Sequence, residues 1–342
     1  MIDLYSDTRT QPSAGMRRFM AEAEVGDEQA DLDPTVTELC ERVADLLGKE
    51  RAVYLPSGTM CNEIAYRVHC RPGDEIILDR TAHGIIAEGG GPAALALAML
   101  YPLDSERGQF SPEQVEAAIR SGSRYEPRSR LISIEQTSNW GGGSIWPLGT
   151  VQAIGEIADA RGLAMHMDGA RLMNAVVESG VEARAFADPF DSLWLDFSKG
   201  LGAPVGAVLA GSDEFIHEAW RLKQQMGGAM RQAGIIAAAC LYALDHNIER
   251  LRDDHANARR LAAGLAELDG IQLDPGSIET NIVFFDLDPD APTARSIAAR
   301  LLERGVRIGA MGERRMRAVT HLDIDEASID GALGAMAEAL RA

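Results

Sequence analysis

The sequence of 342 residues contains little positive charge. Lysine and arginine together number 33, against 52 aspartates and glutamates, so the formal net charge is −19. Without a basic cluster, the chain lacks the charge pattern that attracts phosphate backbones or anionic membrane surfaces. We therefore expect neither nucleic acid nor a membrane among its partners.

Cysteine is scarce as well, and long apolar runs are missing. The four cysteines have no Cys-x-x-Cys spacing, which favours buried, reduced thiols over disulfides or zinc, and no metal ligand is predicted. The longest apolar runs, such as 233–244, are shorter than the roughly 18 residues that a membrane span needs. The first residues show no basic segment followed by an apolar core. These features predict a cytoplasmic protein.

Short apolar runs alternate with stretches of helical periodicity. Strand-like runs occur at 52–55, 75–78, 130–134, 163–167, 192–196 and 207–210, and helical spacing at 34–47, 61–70 and 151–161. This alternation predicts an α/β fold whose mostly parallel sheet binds its ligand beyond the carboxyl ends of the strands. The pattern changes near residue 250. The predicted divisions are an N-terminal arm (1–12), a large domain (13–250) and a small α+β domain (251–342).

Ser57, Gly58 and Thr59 lie between a predicted strand and a predicted helix. Free backbone N–H groups, hydroxyls and the positive end of the helix dipole make such a turn suitable for binding phosphate. The same residues also form ordinary capped helix starts. Taken alone, the turn favours the ordinary helix start.

Two charged residues follow predicted strands. Asp168 ends a buried strand, where its carboxylate needs a partner, and a structural pair with Arg171 explains it equally well. Lys199 lies just past another strand among glycines, where a ligand can reach its amine and form a Schiff base, although a lone lysine is more often solvated. Lysine occurs only at 49, 199 and 223, so amine chemistry has three candidates.

The three features gain specificity when they are taken together. A phosphate turn, a strand-end aspartate and a strand-end lysine, in this order, are what pyridoxal 5'-phosphate requires. The aspartate keeps the pyridine nitrogen protonated, which makes the ring an electron sink, and the lysine holds the aldehyde. The combination predicts a site for this cofactor.

Longer segments extend the pattern over nearly the whole chain, and these are 2–4, 6–8, 24–27, 33–36, 56–59, 82–83, 168–171, 198–206, 227–232 and 319–323. On these segments the chain resembles the threonine aldolase family of fold-type I pyridoxal-phosphate enzymes. The resemblance implies a large domain with a mostly parallel, seven-stranded sheet covered by helices, and a small C-terminal α+β domain. It also implies a homotetramer arranged as a dimer of dimers.

The resemblance further implies a role for each matching residue. Lys199 would hold pyridoxal 5'-phosphate as a covalent aldimine, Asp168 would pair with the pyridine nitrogen, and His83 would stack on the ring. Arg171 would lie near the phenolic oxygen of the cofactor, and Gly58 and Thr59, with Ser57, would bind its phosphate. Arg231 would help to bind the phosphate of the same or a neighbouring subunit, and Lys223 is a further candidate for that role. The implied contacts of the substrate are Ser6, Arg171 and Arg317 at its carboxylate.

The implied reaction is retro-aldol cleavage of L-threonine, L-allo-threonine or a bulkier L-β-hydroxy-α-amino acid to glycine and an aldehyde. His83 is the best side-chain candidate for the base, or for positioning a water that serves as one. β-Elimination and transamination are alternatives, because the cofactor supports all three and they differ in the bond that breaks. A non-catalytic cofactor-binding protein is the alternative from another class.

Two segments depart from the family pattern. Ala30 stands where the family usually has an aromatic ring, and Ser138 where it usually has histidine. We expect both to enlarge the substrate pocket, with Ser138 as a substrate contact. Arg9 and Trp140 lie nearby in sequence and are candidates to charge or fill that space.

Overall fold

The computed structural model describes residues 1–341. Its strands are β1 Ile2–Asp3, β2 Arg51–Leu55, β3 Asp74–Asp79, β4 Met99–Leu103, β5 Arg128–Glu135, β6 Ala164–Asp168, β7 Ser192–Asp196, β8 Ala207–Gly211, β9 Ile271–Gln272, β10 Ile282–Leu287, β11 Val306–Arg307, β12 Gly309–Ala310 and β13 Arg315–Val319. Its helices are α1 Ala14–Ala21, α2 Pro34–Leu47, α3 Gly58–His69, α4 His83–Ile86, α5 Gly91–Ala94, α6 Pro112–Ala118, α7 Leu148–Arg161, α8 Leu172–Ser179, α9 Ala183–Ala187, α10 Asp213–Gln225, α11 Gly234–His246, α12 Leu251–Ala266, α13 Ala294–Glu303 and α14 Glu326–Arg341. Within residues 1–341, no helix has the length and apolar character needed to cross a bilayer.

A seven-stranded sheet in the order β2-β8-β7-β6-β5-β3-β4 forms the centre of the larger part. β8 runs antiparallel to both of its neighbours, and the other neighbouring pairs are parallel. The predicted α/β class and the mostly parallel, seven-stranded sheet are therefore confirmed. Sequence periodicity does not predict β4, because Pro102 interrupts it; proline is tolerated there since β4 is an edge strand.

The arrangement brings the carboxyl ends of six strands to one edge. β2, β3, β4, β5, β6 and β7 share one direction, because neighbouring pairs among β3 to β7 are parallel and β2 and β7 are both antiparallel to β8. Glu135 and Asp168 end two of these strands, and Ser57, His83 and Lys199 lie in the segments that follow three others. Residues that are far apart in sequence are thus gathered at one end of the sheet, as expected for a parallel α/β fold.

A second hydrophobic core is built from residues 258–339. Its four-stranded antiparallel sheet has the order β12-β13-β10-β9 and packs against α12, α13 and α14. β1 pairs in parallel with β11, and Leu4 is fully buried in this core. The first residues, predicted as an arm, are therefore seated against the C-terminal part of the chain. The division at residues 12 and 250 stays a prediction.

Leu4→Ala tests how strongly the N-terminal segment is held. Leu4 has 0% exposure, so truncation should lower the free energy of unfolding by about 2–5 kcal/mol, through lost burial and the cavity left behind. Leu302→Ala is the control, because Leu302 is 47% exposed and should lose about 1 kcal/mol or less. Denaturant unfolding measures both variants. Equal losses would contradict the tight seating of Leu4.

Candidate active site

A cavity of about 820 Å³ lies at the carboxyl edge of the parallel strands. Nine of the predicted site residues contribute to its wall, and these are Ser6, Ser57, Gly58, Thr59, His83, Asp168, Arg171, Lys199 and Arg317. Two predicted residues, Arg231 and Ser138, do not line it. The fold thus assembles most of the predicted site within one protomer.

Lys199 is the lysine that reaches this cavity. Its Nζ forms an ion pair with Asp196 and lies 5.7 Å from the centre of the Trp194 ring. Burial alone would lower the pKa of Lys199, but the Asp196 carboxylate outweighs burial and raises it. The amine is therefore held in its charged form until a ligand displaces Asp196.

The other two lysines are engaged elsewhere. Lys49, near the surface, donates to the carbonyl of Phe190 at 2.6 Å and is half-buried. Lys223 is fully buried and forms an ion pair with Glu28, so it is not free to bind phosphate in this protomer. The candidate role of Lys223 at the phosphate is not supported by this placement. One lysine of three remains for chemistry in the cavity.

Asp168 is buried at the floor of the cavity. Its Oδ2 accepts a hydrogen bond from Nδ2 of Asn62 at 2.9 Å, and its Oδ1 accepts from the backbone N–H of Ala170 at 3.0 Å. Burial raises the pKa of Asp168, and the charges of His83 and Lys199 act against that rise. A buried carboxylate in this position is stabilised further by a cationic partner.

Ser57 starts α3 and combines the two roles that the sequence left open. Its Oγ accepts from the N–H of Met60 at 3.2 Å, which is the ordinary helix cap. The first N–H groups of a helix have no partner within it, so those of Gly58 and Thr59 remain available to an anion. A Cβ atom on Gly58 would overlap the Trp194 ring, which explains why glycine is needed at the wall of this turn.

His83 lies at the start of α4, on the cavity wall. Its Nδ1 is 2.8 Å from Oε1 of Glu88, and its backbone N–H donates to Oε2 of Glu135 at 2.9 Å. The hydrogen bond to Glu88 raises the pKa of His83, while burial opposes the rise. Burial, reinforced by the charge of Asp168, raises the pKa of Glu135 to about 7. The ring is thus anchored through one nitrogen.

Two arginines form the basic side of the cavity. Arg171 is buried and donates from Nε and Nη2 to the two oxygens of Asp7, at 2.7 and 2.8 Å. Arg317 donates to Oδ1 of Asn139 at 3.0 Å, and its buried Nε has no hydrogen-bond partner in the described chain. Burial and the charge of Arg171 lower the pKa of Arg317. An anion beside Arg317 would relieve both effects.

Ser138 and Ala30 do not enlarge this cavity in the way that the sequence suggests. Ser138 is buried beneath the wall, where its Oγ accepts from Gly141 N–H at 3.2 Å. Its side chain packs against Gly108, so it does not reach a ligand in the cavity. Ala30 is exposed in a short 3-10 turn, whereas Trp140 does line the cavity.

Arg231 and Arg9 lie outside the cavity of this protomer. Arg231 has a side chain that is 63% exposed and forms an ion pair with Asp27. Arg9 is also exposed and lies over the ring of Tyr5. A role for Arg231 at a phosphate requires the cavity of another protomer, and it stays a prediction.

Several contributing residues were not among the predicted site residues, and these are Asp7, Asn62, Glu88, Trp194 and Asp196. Asp7 lies in the matching segment 6–8, and Asp196 ends a predicted strand as Asp168 does, so both had a signal that could have found them. Glu135 ends a strand in the same way. Asn62, Glu88 and Trp194 reach the site through hydrogen bonds and packing within the fold, and no sequence signal marks them.

Comparisons with known proteins identify the family of this chain. A family model described as beta-eliminating lyase matches residues 3–288. The chain is 38% identical over 346 residues to "Low-specificity L-threonine aldolase 1" of Arabidopsis thaliana, covering 99% of this chain and 96% of that protein. It is 39% identical over 325 residues to "Low specificity L-threonine aldolase" of Escherichia coli (strain K12), covering 95% of each.

Solved structures show the same fold. A threonine aldolase from Leishmania major matches with a TM-score of 0.84 at 19% identity, covering 99% of both chains. A Listeria monocytogenes protein assigned as an L-allo-threonine aldolase matches with a TM-score of 0.82 at 22% identity, covering 99% of this chain and 96% of the other. The chain therefore belongs to the threonine aldolase family and has the fold-type I architecture of pyridoxal-phosphate-dependent enzymes.

Proposed function

We propose that this chain is a pyridoxal-phosphate-dependent aldolase that cleaves L-threonine, L-allo-threonine or a related L-β-hydroxy-α-amino acid to glycine and an aldehyde. The observation that carries the proposal is the position of Lys199. Of the three lysines, it alone lines the cavity, which it shares with Asp168 and the Ser57–Thr59 turn. The full-length similarity to proteins named for this activity supports the reaction class.

The cavity residues fit pyridoxal 5'-phosphate. The free N–H groups at the start of α3 suit its phosphate, and the space beside Trp194 depends on the missing side chain of Gly58. Asp168, whose buried charge lacks a full counter-charge, suits a protonated pyridine nitrogen. When bound, the cofactor supplies an electron sink for the carbon from which a bond is broken. Lys199 would hold it covalently.

Arg171 and Arg317 would receive the carboxylate of the substrate. Asp7 already neutralises Arg171, with two hydrogen bonds to its guanidinium. Arg317 has an unpartnered buried Nε, so a carboxylate could complete its hydrogen bonding. Ser6 lines the same side of the cavity. These groups would orient the amino acid before any bond breaks.

His83 would accept the proton of the substrate hydroxyl, directly or through a water. Nδ1 is occupied by Glu88, which leaves Nε2 for this step. Among the described residues that line the cavity, His83 is the sole histidine. Glu135 is less suited as the base, because both of its oxygens already accept backbone N–H groups, at 2.9 Å from His83 and 2.8 Å from Asn139.

We further propose a homotetramer and a cytoplasmic location. Four apolar side chains in this part of the chain are exposed, and these are Phe19, Val25, Leu32 and Ile235. Arg231 pairs with Asp27, which lies between Val25 and Leu32 in the sequence. Burying the four apolar side chains against another protomer would remove apolar surface from water and would let Arg231 approach that protomer's cavity. All four cysteines are free, as is usual in a reducing compartment.

Lys199→Ala should abolish the near-visible absorbance of the lysine-bound cofactor and strongly lower kcat, since the group that holds the cofactor covalently is lost. Absorbance with and without borohydride, and glycine release, are the measurements. Lys49→Ala is the matched control and should keep the band and the activity. A band that persists in Lys199→Ala would refute this assignment.

Asn62→Ala should weaken the binding of pyridoxal 5'-phosphate by roughly tenfold or more, because Asp168 loses a hydrogen bond to a charged group. Asn174→Ala is the control: Asn174 is also buried, but it contacts Nε2 of His255 at 3.1 Å, away from the cavity. Cofactor titration followed by absorbance gives both affinities. Equal affinities for the two variants would show that the Asn62 contact is unimportant.

The products separate the proposed reaction from its alternative. Purified protein with L-threonine, L-allo-threonine or phenylserine should release glycine and the matching aldehyde in equal amounts. The alternative is a β-eliminating lyase or an aminotransferase, and the description of the matching family model mentions the first of these. A keto acid in place of glycine would assign the chain to that alternative.

A further inference from the structure

A pair of buried glutamates lies behind His83, on the side away from the cavity. Glu63, on α3, is 1% exposed, and Glu88 follows α4. Both lie beside Gly91, whose backbone N–H donates to the carbonyl of Glu88 at 2.9 Å and whose Cα packs against the Glu63 carboxyl. A Cβ atom on Gly91 would overlap Oε1 of Glu63, so the chain is closely packed on this side as well. Neither glutamate belongs to a motif that the sequence makes conspicuous.

The hydrogen bonds around Glu88 show which carboxyl carries the charge. Oε1 of Glu88 accepts from Nδ2 of Asn62 at 2.7 Å and lies 2.8 Å from Nδ1 of His83. The orientation of the Asn62 amide follows from Trp194, whose indole N–H donates to Oδ1 at 2.7 Å. Two donors at one oxygen are typical of an ionised carboxylate. Glu88 is therefore the charged member.

Glu63 has no comparable support for a charge. Both of its oxygens, and Oε2 of Glu88, are buried and have no hydrogen-bond donor in the described chain. Two adjacent carboxylates without donors repel each other and lose hydration, which is costly in a buried position. One proton on Glu63 would supply the donor that Oε2 of Glu88 lacks.

The surroundings offer no cation to Glu63. The titratable groups around the pair are His83, which contacts Glu88, the Glu135 and Asp168 carboxyls at the cavity, and Tyr66 and Cys61 on α3. Neither glutamate is bonded to a lysine or arginine among residues 1–341. Burial and the contact with Glu88 raise the pKa of Glu63 to about 9.

We propose that Glu63 is a protonated acid that donates a hydrogen bond to Oε2 of Glu88 and so acts as a positioning residue for His83. The pair then carries one negative charge. That charge holds the Nδ1 proton of His83 and leaves Nε2 free toward the cavity. The part that concerns His83 in catalysis rests on the proposed function; the protonation of Glu63 does not.

Thermal stability tests the proton directly. An unfolded chain ionises Glu63 above its ordinary pKa, which is near 4.5, whereas the folded chain keeps it neutral up to about 9. Between these two pKa values the unfolded chain binds fewer protons than the folded chain. The Glu63 carboxyl therefore lowers the free energy of unfolding of the wild type as the pH rises from 4.5 to about 9. Glu63→Gln keeps a donor and cannot ionise. Its Tm relative to wild type should rise by roughly 3 °C or more between pH 5 and pH 8.

The control is Glu75→Gln, at another buried glutamate, which is paired with Arg120 at 2.8 Å. That variant should lose stability at both pH values, because it breaks an ion pair. Infrared difference spectra at pH 7, wild type minus Glu63→Gln, should show the carbonyl band of a protonated carboxyl. A Tm difference for Glu63→Gln that falls or stays constant with pH, or carboxylate bands alone, would overturn the proposal. Neither measurement depends on turnover.

The pH profile of kcat/KM tests the positioning role. The acid limb is the fall in kcat/KM at low pH, where His83 becomes protonated. Glu63→Gln should leave this limb at the same pH, because the glutamine amide still donates a hydrogen bond to Glu88. Glu63→Met removes the donor, so Glu88 becomes a stronger acceptor, stabilises the protonated form of His83 and shifts the acid limb to higher pH. A merely structural role would lower activity without moving that limb, and an unshifted limb in Glu63→Met overturns the role. Absence of any aldolase activity would refute the proposed function and leave the Tm and infrared results to decide the protonation.

Discussion

The buried charge of Asp168 is the constraint on which the rest of the site depends. It stands at the end of β6, below a cavity, and burial raises its pKa. Asn62 stabilises it from α3 and at the same time donates to Glu88. The side-chain amide of Asn62 therefore donates to both carboxylates. It links Asp168, at the floor of the cavity, to Glu88 and through Glu88 to His83. Without such a donor, two neighbouring acids could not both be ionised in a buried site.

The orientation of Asn62 is itself determined by neutral partners. Its Oδ1 accepts from Trp194 at 2.7 Å and lies 3.1 Å from Nε2 of His166, whose Nδ1 is 2.8 Å from Oγ of Ser192. Because Oδ1 can only accept, Nε2 of His166 must carry the proton and Ser192 must donate to Nδ1. Burial lowers the pKa of His166 well below its ordinary value, so the ring is neutral. The network directs the amide without adding charge near Asp168.

Position on a strand makes part of this site predictable from sequence. Asp168, Lys199 and Ser57 follow strands, and parallel strands end at one edge, so the order of residues along the chain is enough to infer that they meet. Asn62 and Glu88 could not be found in this way, because Asn62 approaches from α3 and Glu88 from the loop after α4, and both residue types are common in such positions. Ser138 shows the opposite error: its position where the family usually has histidine suggested a place in the pocket, but the chain buries its hydroxyl against Gly108. A role for Arg231 at the phosphate of another protomer stays a prediction, because a single chain does not describe such a contact.

Arginines and carboxylates both line the cavity, and their charges constrain how an amino acid can lie in it. Arg171 and Arg317 are close enough for the charge of Arg171 to lower the pKa of Arg317, and Asp168 and Glu135 line the same cavity, with Glu88 in contact with His83. The carboxylate of an amino acid is attracted to the arginines and repelled by the acids, so one end of the substrate is placed by charge alone. The ion pair with Asp7 reduces the net positive charge that Arg171 presents to a ligand, although its N–H groups remain donors. Arg317, whose Nε has no partner, then attracts the substrate carboxylate more strongly. The proposed neutral state of Glu63 matters in this balance, because a further buried negative charge beside Glu88 would stabilise the protonated form of His83 and weaken that ring as a base.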